Sequence, residues 1–430
     1  MSDVRNRLED ILSRLEARKD SELVFSRIYT DRARAEADAA DVRLESGGAL
    51  GPLDGRIVSI KDLFDVAGET TLAGSVVRRN AQPATGDAVI VRRLREAGAV
   101  IIGKTHMTEF AFTPVGLNPH YGVPRNVADP ERVPGGSSSG AAVSAAEGTS
   151  EIAIGSDTGG SVRIPAALNG LIGFKPTARR IPLDGAFPLS PSLDSIGPLT
   201  RTVADAILTD AVMAGEVPVL PEALSLQGLR IALPRGYLLA DMQPDVAEHF
   251  ETTVAALEKA GAVIADIAVD DLIARLRDAT RAGSIVGIEA SRLHVADWLG
   301  DPDANVDVRV KKPLSVRIRV PDEVYAAMMQ SRTALIREMD ERLSGFDMFA
   351  TPATPIVAPT IASVSDDEDE YDRVETLLLR DTQVGNQFDL CSITLPMPGM
   401  ALPAGFMLTA RGGTDKQLLA AAMSVENLLS

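Results

Sequence analysis

Gly135-Gly136-Ser137-Ser138-Ser139-Gly140 opens a stretch that closes, at Thr158-Gly159-Gly160-Ser161-Val162-Arg163, on a second glycine-rich turn. Ser137 in the first turn and Ser161 in the second are 24 positions apart. A serine that attacks an electrophile creates an oxyanion, and backbone N–H groups must come close to hold that charge. Glycine permits the close approach because it has no Cβ. Thr158-Gly159-Gly160-Ser161 therefore offers a row of unobstructed donors. Upstream, Val58-Ser59-Ile60-Lys61 places a lysine at the end of a mostly apolar run.

Outward from these turns the chain alternates strand and helix patterns. Residues 56–60 read as a buried strand ending at Lys61, after a Gly/Pro break at 47–52. Residues 87–96 read as a helix, Gly98 closes it, and 99–102 read as another buried strand, the rhythm of an α/β protein. The turn recurs downstream, where LEKAGAVI at 257–264 echoes LREAGAVI at 94–101. Further strands are predicted at 229–233, 346–350 and 392–395, and further helices at 244–260 and about 414–429. Residues 1–45 read as N-terminal amphipathic helices. The charge-rich segment at about 270–345 reads as a helical, substrate-facing region. The acidic run 365–372 reads as a solvated loop. No Pro/Ser-rich linker interrupts the pattern, so residues 1–430 are expected to form a single domain.

Composition narrows the functions available. Sixty acidic against 43 basic residues give a net charge of −17, which argues against a nucleic-acid or anionic-membrane partner. Apolar residues make up 45% and aromatic residues 4%, so the core rests on Ala, Val, Leu and Ile. Cys391 is the only cysteine, which excludes an intrachain disulfide and paired-thiolate zinc sites. It sits beside an apolar run and reads as inert. No apolar stretch is long enough to span a bilayer, and a cytoplasmic location is expected. The four histidines, His106, His120, His249 and His294, show no metal-ligand spacing, so neither a metal nor a cofactor is expected. His106 and His120, in the loop-rich region before the serine turns, could line a pocket; His249 and His294 read as surface or packing residues.

So few histidines make a Ser-His-Asp triad hard to build, and lysine becomes the candidate base. Amide hydrolysis needs a nucleophile, a proton shuttle and oxyanion donors. Ser161 can attack, Thr158 to Ser161 can supply donors, and Ser137 can relay a proton to Lys61. Lys61 must then be neutral at rest, which burial at a strand end favours. The competing reading pairs Lys61 with Asp62 or Asp65 or lets it snorkel to solvent. A phosphate-binding reading of the glycine turns fails because no Gly-Lys-Ser/Thr ending follows.

Taken together, VSIKD at 58–62, GGSSSG at 135–140 and GSDTGGSVRIPA at 155–166 resemble the amidase signature family of Ser-Ser-Lys hydrolases. The likeness is dense from about 51 to 202 and returns weakly at 351–359 and 386–398. It implies a mixed, mainly parallel central sheet flanked by helices on both faces. It also implies Ser161 as acyl-enzyme nucleophile, Ser137 as bridging serine after a cis peptide, and Lys61 as base. Thr158, Gly159 and Gly160 match the oxyanion loop, with Gly136 and Phe112 near the substrate. Asp157 and Arg163 match positions that brace this loop. Phe110, Ala111, Phe112 and Thr113 fall near the acyl pocket by the same likeness; a core role for Phe110 and Phe112 fits the residues equally.

The expected activity is hydrolysis of a small carboxamide to carboxylate plus ammonia or amine, and a ureide substrate stays open. An amidotransferase-type subunit that delivers ammonia from glutamine to a partner is the alternative. Such subunits usually carry a longer C-terminal extension, whereas this chain ends at Ser430 shortly after its last helix pattern. A catalytically silent binding module would be favoured by a missing serine or lysine, and all three are present. A homodimer is common among relatives but is not legible in the residues.

Overall fold

Strand Ile57–Lys61 shows how the sheet is built. Side chains alternate across a strand, so 58 and 60 face one way and 57, 59 and 61 the other. Val58 and Ile60 pack in a core cluster with Ile90, Val91 and Leu94 of helix Val89–Glu96. Ile57 instead joins Val4, Leu8, Ile11 and Ala37 of the N-terminal helices Asp3–Ala17 and Thr30–Glu45. Helices thus cover both faces, and the face carrying Ser59 and Lys61 is the one on which the polar groups gather.

The computed structural model describes residues 3–430. Its eleven strands form one sheet: β1 Phe25–Ile28, β2 Ile57–Lys61, β3 Val100–Thr105, β4 Ile152–Asp157, β5 Ile172–Lys175, β6 Ser195–Thr200, β7 Arg230–Leu233, β8 Val263–Asp266, β9 Met348–Pro352, β10 Cys391–Pro396 and β11 Gly405–Ala410. Their order is β1-β3-β2-β4-β6-β5-β10-β11-β9-β7-β8. The sheet is mixed, as expected, but it is not mainly parallel. Parallel pairing is confined to β3-β2-β4 and to β9-β7-β8. The other six pairings are antiparallel. Connection length accounts for one of them: residues 397–404, which join β10 to β11, are too few for the crossover that a parallel neighbour requires.

The repeated helix-to-strand turn has one geometry in both copies. Gly98 (φ 83°) links helix Val89–Glu96 to β3, and Gly261 (φ 100°) links helix Pro244–Lys259 to β8. Both glycines hold the left-handed conformation that ends a helix. The acidic run departs from expectation: it begins helix Glu368–Arg380 instead of forming a loop. Asp367 Oδ1 accepts the Glu370 N–H at 3.0 Å as an N-cap. Glu368, Asp369 and Glu370 then occupy the first turn, where negative charge favours the helix dipole. Strand β1, between the two N-terminal helices, had no readable signal; it is four residues long and pairs antiparallel with β3. Among the described residues, no helix is long and apolar enough to cross a membrane.

Candidate active site

Lys61 ends β2, where β3 and β4 flank it on both sides, so its side chain is fully buried. Its Nζ donates to Ser137 Oγ at 2.7 Å and to Ser156 Oγ at 2.9 Å. Burial drives its pKa down to about 7, against the opposing pull of the Asp157 and Asp194 carboxylates. The competing pairing with Asp62 does not form, because Lys104 Nζ takes Asp62 Oδ1 at 3.1 Å. The amine of Lys61 meets two hydroxyls instead. Ser137 is wholly buried, and the Gly136–Ser137 peptide before it is cis.

Ser161 lies at the end of the loop that joins β4 to helix Arg163–Leu168. Asp157, the last residue of β4, fixes this loop from inside. Its Oδ2 accepts from Val162 N at 3.1 Å and Arg163 Nε at 3.0 Å, and its Oδ1 from Arg163 Nη2 at 2.9 Å. Asn386 Nδ2 adds a bond of 2.9 Å to Oδ1. Burial alone would raise this carboxyl; the Arg163 guanidinium overrides it and holds the pKa at about 2. On the other side of the loop, Thr158 Oγ1 donates to Asp194 Oδ1 at 2.6 Å, and Thr382 Oγ1 donates to the Gly159 carbonyl at 2.8 Å. Burial pushes Asp194 up to about 6, against the hydrogen bonds it accepts from Thr158, Leu189 and Ser190.

These contacts tie down the loop's carbonyls and side chains and leave its donors free. Among the described residues, no group accepts from the N–H of Thr158, Gly159, Gly160 or Ser161. Gly160 has φ 138°, and a Cβ there would collide with Thr382 and come within 2.7 Å of Ile164 Cδ1. Only glycine fits that position. The result is a fixed row of unengaged donors beside a serine, which is what stabilising an oxyanion requires. Gly136, expected near the substrate, adds no donor to this row: its N–H is bonded to the Pro114 carbonyl at 2.6 Å. Its role is steric, since a Cβ there would press on Thr108, Thr113 and Gly116 at 3.0 Å.

Ser161, Thr158 and Gly159 open into a cavity of about 210 Å³. Ala111, Phe112, Pro114 and Leu189 form its apolar wall. Phe112 is therefore a wall residue, whereas Phe110 belongs to the core and stacks on Trp298 with ring centroids 5.2 Å apart. His294 packs in the same cluster, and neither His106 nor His120 lines this cavity. Burial lowers His106 to about 4. A second cavity of about 190 Å³ shares Ala111 and Leu189 and reaches Ser156 and Asp194.

Several site residues had no legible signal. Asp194 approaches Thr158 only because β6 pairs with β4. Ser156 lies inside GSDTGGSVRIPA, where nothing in the spacing marks it as a partner of Lys61. Ser284, Val286, Arg309, Pro313 and Arg317 enter the cavity from the charged helical segment, and Glu375, Leu379, Gln383 and Gln387 come from near the C-terminus. These last four recur at every fourth position, a helical stripe that a periodicity reading of 375–387 could have found.

The Asp157–Arg163 pair is buried completely, so breaking it leaves a carboxylate without its counter-charge. Arg163→Met is expected to lower unfolding stability by about 3–5 kcal/mol in a denaturant titration. A loss below about 1 kcal/mol would show that the pair does not brace the loop.

The family model described as Amidase matches residues 7–419 of this chain. The chain is 35% identical to the 2-amino-5-chloromuconic acid deaminase of Comamonas testosteroni, over 93% of this chain and 87% of that protein. It is 37% identical to a 1-carboxybiuret hydrolase subunit of Pseudomonas sp. (strain ADP), over 77% of this chain and 74% of that protein. Among solved structures, the crystal structure of an amidase superposes with a TM-score of 0.88 at 31% identity, covering 99% of this chain and 96% of that one.

Proposed function

This chain belongs to the amidase family of hydrolases, and from that premise we propose that it cleaves the C–N bond of a small carboxamide through an acyl intermediate on Ser161. The observation that carries this reading is the 2.7 Å contact between the buried Lys61 amine and Ser137 Oγ. Burial holds that amine at a pKa of about 7, so a large share of it is uncharged near neutrality. Its lone pair then accepts the Ser137 hydroxyl proton as Ser137 Oγ takes the proton of Ser161. Ser161 Oγ attacks the carbonyl carbon, and the N–H row from Thr158 to Ser161 holds the oxyanion. The protons return along the same path to the leaving nitrogen, which departs as ammonia or an amine. Water, activated by the same relay, then cleaves the acyl ester to release the carboxylate.

The apolar wall of Ala111, Phe112 and Leu189 and the small cavity support a compact acyl group. Residues of the helical segment between 270 and 345 line that cavity, which supports its role in substrate choice. A ureide is the second reading, favoured by the similarity to a carboxybiuret hydrolase subunit. Ammonia transfer to a partner subunit is the further alternative, and partner-dependent glutaminase activity would reveal it. A cytoplasmic location and a homodimer complete the proposal.

A fluorophosphonate probe tests it together with an ammonia assay over carboxamides, anilides and ureides. Rapid labelling of the Ser161 peptide and release of ammonia from a carboxamide are expected. Labelling confined to another residue, or no labelling, overturns the assignment. Faster turnover of a ureide would select the second reading.

A further inference from the structure

The helical part of the catalytic cavity's lining is cationic, although the protein as a whole carries a net charge of −17. Arg309, Pro313 and Arg317 line it from helix Val308–Arg317, four positions apart and so on one face. Neither guanidinium is used by the chemistry proposed above. Arg317 Nε is buried with no hydrogen-bond partner among the described residues. A buried donor left unpaired costs free energy that a bound acceptor would recover. Arg309 lies over the Tyr371 ring, 4.4 Å from its centroid, which fixes the guanidinium plane.

The placement of Arg317 is built into the backbone. Gly287 leaves the space that the Arg317 stem fills; a Cβ at 287 would collide with its Cδ and lie 2.6 Å from Nε. One acid, Glu375, shares the lining with the two arginines. Burial and the charge of Asp372 push its pKa up to about 7, against Arg317 and Arg309. Even with Glu375 ionised, the cationic charge of this wall exceeds the anionic. On the same lining, Gln387 Oε1 is a buried acceptor with no partner among the described residues, suited to an amide N–H.

We propose that the amide cleaved by this enzyme carries a carboxylate, held by Arg317 and Arg309 while its carboxamide carbon lies at Ser161. The planar guanidinium matches a carboxylate's two oxygens, which an apolar wall or a lysine would not. The inference rests on Ser161 being the reacting residue, and it names the substrate class as monoamides of dicarboxylic acids or their ureide counterparts.

Calorimetry on Ser161→Ala tests binding without turnover. The probes are the monoamides of malonic, succinic, glutaric and adipic acids, each against the neutral aliphatic amide of equal chain length. At least one acid should bind about tenfold more tightly than its neutral counterpart. Adding Arg317→Gln should bring that ratio close to unity, and Arg309→Gln, a second variant that leaves the Gly287 contact intact, should reduce it. Equal affinity for acid and neutral amide throughout the series, absence of binding, or a ratio unchanged in both arginine variants overturns the proposal. Because this readout needs no reactive serine, a positive binding result with no fluorophosphonate labelling of Ser161 in the parent would keep the carboxylate site and sink the hydrolase mechanism.

Discussion

Ser161→Ala is expected to lower kcat for any amide substrate by about 10⁵-fold while the protein stays folded. The size follows from what the hydroxyl does. Without Oγ no acyl ester forms, and the enzyme keeps only its cavity and its free N–H donors. Such remnants sustain about 10³–10⁴-fold over the uncatalysed reaction. The fold should be indifferent to the change. Ser161 Oγ is not among the groups that brace the loop; Asp157, Thr158 and Thr382 do that work. Ser161 is buried, but its Oγ has no hydrogen-bond partner among the described residues, so its removal leaves no group unpaired and should shift stability by about 1 kcal/mol or less. Single-turnover hydrolysis and thermal unfolding measured on one preparation would separate the two effects. Activity within tenfold of the parent would mean that the nucleophile lies elsewhere.

The same loop shows which parts of the molecule its sequence made legible. Local features were readable because their cause is local. The LREAGAVI and LEKAGAVI turns need a left-handed glycine after a helix, and both have one. Likewise the Thr158-Gly159-Gly160-Ser161 turn holds Gly160 at φ 138°, a conformation that glycine adopts without strain. Sheet order was less legible. Most antiparallel pairings join strands distant in the chain, such as β10 with β5 and β11 with β9, and periodicity within a strand does not encode its neighbour. The acidic run was misread for a related reason: charge density marks solvent exposure, but the Asp367 cap decides the helix. Of the site, Ser161, Ser137 and Lys61 lay in contiguous motifs. Asp194 reaches the loop, and Arg309 and Arg317 reach the cavity, through tertiary packing that no motif announced. The cavity wall is built largely from such distant segments, which is why its lining was harder to read than the serine motifs.

Removing the amine of Lys61 should cost about 10²–10⁴-fold in kcat/KM and should also erase a pH dependence. In the parent enzyme kcat/KM is expected to rise with pH through an ionisation near 7, since only the uncharged amine can accept the Ser137 proton. Lys61→Met should abolish that limb. Lys61→Arg should be as inactive, because a guanidinium stays protonated throughout the accessible range. A stability measurement gives an independent readout of the same burial. The folded-state pKa is lowered from 10.5 to about 7, so between those values the unfolded chain binds the extra proton. Stability from this group therefore increases as pH rises from about 7 towards 10.5, and the penalty of a buried ammonium is complete below 7. Lys61→Met removes that penalty, so the variant should gain most over the parent at acidic pH, by about 1–4 kcal/mol, and lose the advantage as pH rises. A parent kcat/KM that does not change through pH 7, a parent stability flat between about pH 7 and 10.5, and no acid-side gain in Lys61→Met would mean that this amine is charged at rest, and the Ser137 relay would have no acceptor.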